Sequence, residues 1–452
     1  MFGARSLGLG SLLTMITLGG CAGGPAQEER SARTEMRATG AMLLARDGRP
    51  ALPELRPESP PEEFVRYSVL NHPAVIAAYF DWRTSVEDIA PARSPQDPQL
   101  VFQADIADTL TSLMPGVMFN FMGSGKRSAM GREATVAAAV ARRDYISAVL
   151  TTAAKTRKAW IELAYVDAAT RLKEMSVGAL ESSLAIADAD YATGRGMGTL
   201  ADQIRIANDL ARGRSELGTL ADRRTAVRAR FKTALGLAPA DPDPVWPTAT
   251  LTPTSLPGPD ELWRRASGAN PGLGRMRSMV DVAVAGVEVA RRAGQPDFTL
   301  GAMIDLKADP HFVRPLATLG LPVWREKIAA IIAAAAARRD ASVARLTTEQ
   351  LELAAELAQM LFMVREADRM IAYIDHDALP NTDRAIATAE AAYQSGTTTS
   401  GMIPETQAMA LAMRLERLGA LRDCENAVTD LMLLTADAAP VGSPMPGATP
   451  NS

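Results

Sequence analysis

Apolar residues recur at steps of three and four along two long stretches of this chain. The first stripe runs through Val136, Val140, Ile146, Val149, Ala153, Trp160, Ala164, Ala168, Leu172, Met175 and Ala179. The second runs through Ile328, Ile332, Val343, Leu346, Leu353, Leu357, Met360, Val364, Ile371 and Ile374. That spacing keeps side chains on one face of an α-helix. Residues 116–238 and 323–379 also contain no proline, a residue that costs a helix interior about 3 kcal/mol. The pattern predicts one helix over 126–192, roughly 100 Å long at about 1.5 Å per residue. Helices of this length cannot bury themselves in a globular core and pack along one another as coiled coils or bundles. Between the stretches, seven prolines crowd residues 239–260 and mark a connector.

Ahead of each long helix the period changes from helical to two. In 298–306, Phe298, Leu300, Ala302, Ile304 and Leu306 alternate with Thr299, Gly301, Met303 and Asp305. In 100–106, Leu100, Phe102, Ala104 and Ile106 alternate with Val101, Gln103 and Asp105. Return strands follow at 117–123, with Val117, Phe119 and Phe121 on one face, and at 316–323. Strands with an apolar outside and a polar inside suit a transmembrane barrel, which needs about 9–11 residues per tilted strand. Two hairpins packed on a soluble domain would give the same alternation, so the pattern alone leaves both open. Four strands cannot close a barrel by themselves, and a membrane location would require several chains to share one.

The chain repeats itself. Asn71-His72-Pro73 recurs as Ala269-Asn270-Pro271, and Asp97-Pro98 as Gln295-Pro296, both at an offset of 198. Ala141-Arg142-Arg143-Asp144 recurs as Ala337-Arg338-Arg339-Asp340 at 196, and Tyr191-x-x-Gly194 as Tyr393-x-x-Gly396 at 202. Four matches in one order read as two copies of a unit: helix, strand pair, very long helix, turn, returning helix.

Charge and composition then remove whole classes. A net charge of −4 gives no electrostatic footprint for nucleic acid. Two cysteines and three scattered histidines make neither a disulfide framework nor a metal cluster. The N-terminus reads as an address. Arg5 supplies a positive start, Leu7 to Leu18 a short apolar core, and Leu18-Gly19-Gly20-Cys21 looks like a bacterial lipobox. Residues 1–20 would be removed and the Cys21 thiol acylated, palmitate being a typical acyl group; a plain secretory signal is the alternative. Buried methylenes contribute about 0.8 kcal/mol each, so a lipidated Cys21 would hold the chain at a membrane. The polar residues 21–60 read as a lipid-anchored tether, and 438–452, rich in Pro, Gly and Ala, as a flexible tail.

Taken together, these features resemble the TolC family of outer-membrane efflux channels over roughly residues 61–437. The carriers are Asn71-His72-Pro73, Asn270-Pro271, Asp97-Pro98 and Leu319-Gly320-Leu321-Pro322. Leu379-Pro380, followed by a helix ending in Tyr393-x-x-Gly396, is the most specific, and Tyr191-x-x-Gly194 is its counterpart in the first repeat. The resemblance implies a mainly α fold of long antiparallel helical hairpins in a tandem repeat, 61–238 and 261–437, with four transmembrane strands per protomer. It further implies a homotrimer, with a shared twelve-stranded β-barrel above a trimeric α-barrel. The helical part would lie in the periplasm of a Gram-negative bacterium and the strands in its outer membrane. Partners would be outer-membrane lipids and a periplasmic adaptor (a membrane fusion protein) that meets an inner-membrane pump; the adaptor would dock at tips around Tyr191, Gly194, Tyr393 and Gly396. The function implied is a passive exit duct of a tripartite efflux or type I secretion-like system, with no catalytic residue, metal or cofactor. One departure matters. Many family members carry aspartates after the second tip glycine, whereas here Gly401-Met402-Ile403-Pro404 fills that stretch and Glu405 is the first acid.

Weaker signals have plainer readings. Asp375-His376-Asp377 places three possible ligands in a row, but successive helix residues diverge. Twenty-one methionines read as packing filler. Gly123-x-Gly125-Lys126-Arg127-Ser128 lacks the spacing of a phosphate loop and reads as the turn from strand into helix. The rival reading of the whole chain is a periplasmic coiled-coil lipoprotein, an adaptor or structural spacer without a pore. Adaptors usually carry one hairpin, and this chain carries two.

Overall fold

The computed structural model describes residues 26–44, 52–106, 110–193, 200–248, 250–397, 402–440 and 442–446. In chain order the elements are α1 (Gln27–Leu43), α2 (Pro61–Asn71), α3 (Pro73–Glu87), α4 (Ile89–Arg93), β1 (Gln99–Ile106), β2 (Leu110–Phe121), α5 (Lys126–Thr193) and α6 (Leu200–Ala234). There follow α7 (Pro259–Ala269), α8 (Pro271–Arg292), β3 (Asp297–Asp305), β4 (Phe312–Gly320), α9 (Arg325–Tyr373), a π turn (Ile374–Ala378), α10 (Leu379–Gln394) and α11 (Met402–Leu434). The order of short helices, strand pair, long helix and returning helix occurs twice. Helix α5 is unbroken over 68 residues. In the second copy the descent is interrupted where Pro380, which has no N–H to give the His376 carbonyl, follows the π turn.

The chain forms two compact units, each drawing on both copies. Of the described residues, one unit takes those up to Gly40 and those in Ala78–Tyr145 and Gly274–Thr348; the other takes those in Ala41–Ala77 and Ile146–Leu273 and those from Glu349 onward. The first unit holds a single antiparallel sheet in the order β1-β2-β3-β4. Two of its helices meet through alanine and branched aliphatic side chains, with Val287 and Ala290 of α8 against Ala335 and Ile332 of α9.

In this unit α1 departs from the expected tether. Glu29, only 1% exposed, pairs with Arg33 at 3.1 Å and Arg93 at 2.7 Å. Glu35 takes a two-point hold from Arg142 at 2.8 and 2.6 Å. A side chain at Gly40 would lie 2.0 Å from the Tyr79 hydroxyl, so only glycine lets the helix dock there. The Arg/Glu-rich composition that reads as solvated is spent on ion pairs with α4 and α5. The tail is likewise packed where it is described: Ser443 is buried and Gly442, at φ 85°, lies against Arg66. Cys21 and the signal segment lie outside the described residues.

Apolar clusters hold the second unit together. Phe64, Leu163, Val166, Val227, Phe231 and Leu235 form one, with Trp246 of the connector laid against it. Leu251 of the connector joins Ile161, Ala164 and Leu421 in another. The proline-rich segment is therefore a fitted strap. Its start is held by the buried Lys232 ammonium, which donates to the carbonyls of Pro239 and Asp241. Farther along, Glu425 accepts from the Thr254 N–H at 2.7 Å and hydroxyl at 2.9 Å.

The duplication is visible in matched hydrogen bonds. Asn71 donates to the Leu235 carbonyl at 2.9 Å, and Asn270 to the Leu434 carbonyl at 3.1 Å, each at the end of its returning helix. Both returning helices also stop alike. Leu237 N–H reaches Lys232 O and Gly236 N–H reaches Thr233 O; Asp437 N–H reaches Met432 O and Ala436 N–H reaches Leu433 O. This Schellman pattern needs a left-handed residue, and it falls on Gly236 (φ 77°) and on Ala436 (φ 62°).

Candidate functional site

Two regions carry surface chemistry. The first is the sheet. Pairing places Leu100 opposite Val117 and Phe102 opposite Pro115; Phe119 faces Leu300, and Phe121 faces Phe298. On the next strand Phe298 faces Leu319, Leu300 faces Ala317, and Ile304 faces Val313. Every residue in these rows is apolar, and the face is open: Leu100 is 74% and Phe102 72% exposed. The reverse face is mixed: Gln99, Gln103, Ser112, Asn120, Thr299, Asp305 and Thr318 share it with methionines and with Val101, Phe312 and Leu316. There Thr299 donates to Asn120 at 2.8 Å and Ser112 to Asp305 at 3.0 Å. Met303 lies across Gly116, where an added Cβ would come within 2.3 Å of its Cγ. The strands have the alternation expected of them, and the return strands begin earlier than the sequence suggests, at Leu110 and Phe312. Among the described residues no helix is long and apolar enough to cross a membrane.

The second region is where the long helices end. Tyr393 stands at the second-last turn position of α10, and its carbonyl accepts the Gly396 N–H while Thr397 N–H reaches back to Ala392. Gly396, at φ 71°, is the left-handed residue of that stop. The Tyr-x-x-Gly spacing is thus the spacing of a helix cap. Tyr393 Oη donates to Asp190 of α5 at 2.8 Å, and this bond holds its proton above the usual phenol range. Tyr191 is exposed beside Asp190, and Gly194 lies outside the described residues. Glu405 accepts from Arg205 of α6 at 2.9 Å, so the first acid after the second turn is already engaged. Asp190 and Arg205 escape a sequence reading because their partners lie 203 and 200 positions away. Asp375 of the row Asp375-His376-Asp377 takes a two-point hold from Arg417 of α11, at 2.5 and 2.9 Å, which keeps its carboxyl below the usual range. Cys424 is buried, and burial pushes its thiol up to about 12. Among the described residues no group of three or more His, Cys, Asp or Glu could hold a metal.

Comparison with known proteins places this geometry. Residues 262–437 match the sequence model of the family described as outer membrane efflux protein. No curated protein matches the chain in sequence. Among solved structures, CusC superposes with a TM-score of 0.72 at 14% identity, covering 87% of this chain and 99% of its own. VceC, an outer membrane protein of Vibrio cholerae, gives 0.69 at 16% identity over 84% of this chain and 96% of its own. The open-state outer membrane channel MtrE of Neisseria gonorrhoeae gives 0.71 at 13% identity, over 84% and 89% respectively. At these identities the likeness is one of fold. Residues 262–437 are thus similar to the outer membrane efflux protein family, and the chain that carries them has the fold of these outer-membrane channels.

Proposed function

We propose that this protein is the outer-membrane channel of a tripartite efflux or type I secretion-like system, a passive duct for substrates that an inner-membrane pump delivers through a periplasmic adaptor. The observation that carries the reading is the sheet. Its apolar face is exposed, its mixed face is turned away, and its outer strands β1 and β4 each lack a second neighbour in the described chain. An open edge in hydrocarbon leaves backbone groups unpaired at several kcal/mol each. Pairing β1 of one protomer with β4 of the next removes both edges, and three copies of four strands make a twelve-stranded barrel. Cys21, acylated after removal of residues 1–20, anchors the chain in the same membrane.

The duct needs no chemistry on its cargo, so the side chains that matter are those that fit lipid, neighbours and partners. At the hairpin ends, Tyr393–Asp190 and Arg205–Glu405 bind α10 to α5 and α11 to α6. Breaking them lets the ends separate, which is how a closed duct would open. The turns bearing Tyr191, Gly194, Tyr393 and Gly396 present the surface that an adaptor meets. Membrane fractionation tests the reading. The protein is expected with the outer membrane, as a trimer that alkaline carbonate does not extract. A monomer released once the lipid anchor is removed would instead support a periplasmic spacer.

A further inference from the structure

Where β2 passes into α5, a cavity of about 300 Å³ opens at the helix-side end of the sheet. Its lining has two characters. One wall is the stacked pair Phe121 and Phe298, with ring centroids 5.0 Å apart and planes 15° from parallel. Both rings belong to the exposed apolar face of the sheet. The other wall is polar and supplies Gln96, Asn120, Ser124 and Arg127. The loop between the walls is held in place. Lys126 donates to both Asp297 oxygens at 2.8 Å, and Asp297 also accepts the Gly123 N–H at 2.7 Å. Behind it stands Arg292, itself paired with Glu288 at 2.8 Å: a side chain at Gly125 would come within 3.0 Å of its guanidinium. At the same end of the sheet Trp324 is exposed, followed by Arg325 and Lys327. Aromatic rings and cations at one level are what a headgroup layer selects.

We propose that this cavity binds one glycerophospholipid per protomer, its phosphodiester at Arg127 and Ser124 and an acyl chain along Phe121 and Phe298. The occupant follows from continuity and charge. The apolar wall prolongs the face that meets hydrocarbon, and the polar wall offers a guanidinium, an amide and a hydroxyl where that face ends. A soluble anion would have no use for the ring pair, and a detached apolar molecule none for the arginine. The inference rests on the membrane reading above.

The test uses the full-length protein, exchanged free of lipid in detergent and then mixed with phosphatidylglycerol, with native mass spectrometry counting the lipid retained. The wild type is expected to hold one lipid per protomer. Arg127→Gln is expected to retain about tenfold less or lower still, the worth of one charge-assisted hydrogen bond. Ser124→Trp, which fills the cavity without touching the Lys126–Asp297 pair, is expected to lose lipid likewise. Arg37→Gln, on the exposed side of α1, is expected to retain it. Excess inorganic phosphate should leave the lipid in place. Equal retention by wild type, R127Q and S124W would overturn the proposal, as would a wild type that holds no lipid. Displacement by inorganic phosphate would also overturn it, since the site would then be one for the free anion. Failure of the membrane reading is seen separately, as a wild type absent from the outer-membrane fraction. Failure of this inference alone leaves the wild type in that fraction with its lipid retention unaltered by the two variants.

Discussion

Leu300 offers the sharpest perturbation of the sheet. It is the fourth of the nine residues of β3, close to mid-strand, and on the outward face it lies between Phe119 and Ala317. An arginine on the lipid face near the bilayer midplane costs about 2–4 kcal/mol. In a trimer the three copies are well separated and their costs add to about 6–12 kcal/mol. That is comparable to the whole margin by which a typical folded protein is stable, about 5–15 kcal/mol. Thr318 is the control. It is exposed on the opposite face, paired with Thr299, where an arginine would stand in water at little cost. The assay is the amount of heat-resistant trimer in outer-membrane fractions, read on a gel without boiling, with refolding into vesicles as a check. Leu300→Arg is expected to leave no assembled trimer, and Thr318→Arg to assemble as the wild type does. If L300R assembled normally, the outward face would not lie in lipid and the reasoning would fail.

Other outcomes follow from single contacts. Tyr393→Phe removes the bond to Asp190; at about 1 kcal/mol per protomer, three copies shift the opening of the hairpin ends by roughly a hundredfold, seen as a larger open fraction in planar bilayers. Ala436→Gly relieves a left-handed alanine and should stabilise by about 0.5–1 kcal/mol, raising the midpoint of thermal unfolding. Gly236→Ala should destabilise by about 2 kcal/mol or more and lower that midpoint, because its Cβ would also meet the His72 backbone at 2.8 Å. Asp375, whose folded pKa is depressed by Arg417, contributes stability that is complete above the ordinary carboxylate pKa near about 4 and is lost as pH falls through the depressed value. Asp375→Asn should therefore lower the unfolding temperature at pH 7, with an effect that shrinks as the pH is taken down through the depressed value, and a loss independent of pH would contradict the ion pair.

The long helices and the strand faces were legible because burial on one side imposes a period, and the period survives in the sequence. Helix α1 was not, because it docks through ion pairs, and glutamate and arginine look alike in a solvated tether and in a buried clamp such as Glu29–Arg93. Along α5 the predicted stripe holds at Val149 and Ala153, yet Met175 is 67% exposed while Val177, Leu180 and Ala187 are buried against Ile206 and Leu210. A helix of 3.6 residues per turn drifts by about 20° per heptad against a fixed seam, so a stripe extrapolated over seven turns points the wrong way. The early halves of β2 and β4 were hidden by Pro115 and Pro315, which sit on the outward face and read as strand breakers. The tyrosine spacing at the hairpin ends was readable as a local cap. Its partner Asp190 became visible only once folding brought distant helices together.

A conducting barrel to which each chain contributes its four strands can be observed directly. Planar-bilayer recording of the purified full-length protein, with its oligomeric mass measured in the same detergent, tests it most directly. A trimer that inserts in discrete conductance steps is expected, with L300R silent and Y393F open for a larger fraction of the time. A wild-type protein that is monomeric and silent across preparations that keep its helical content would contradict it.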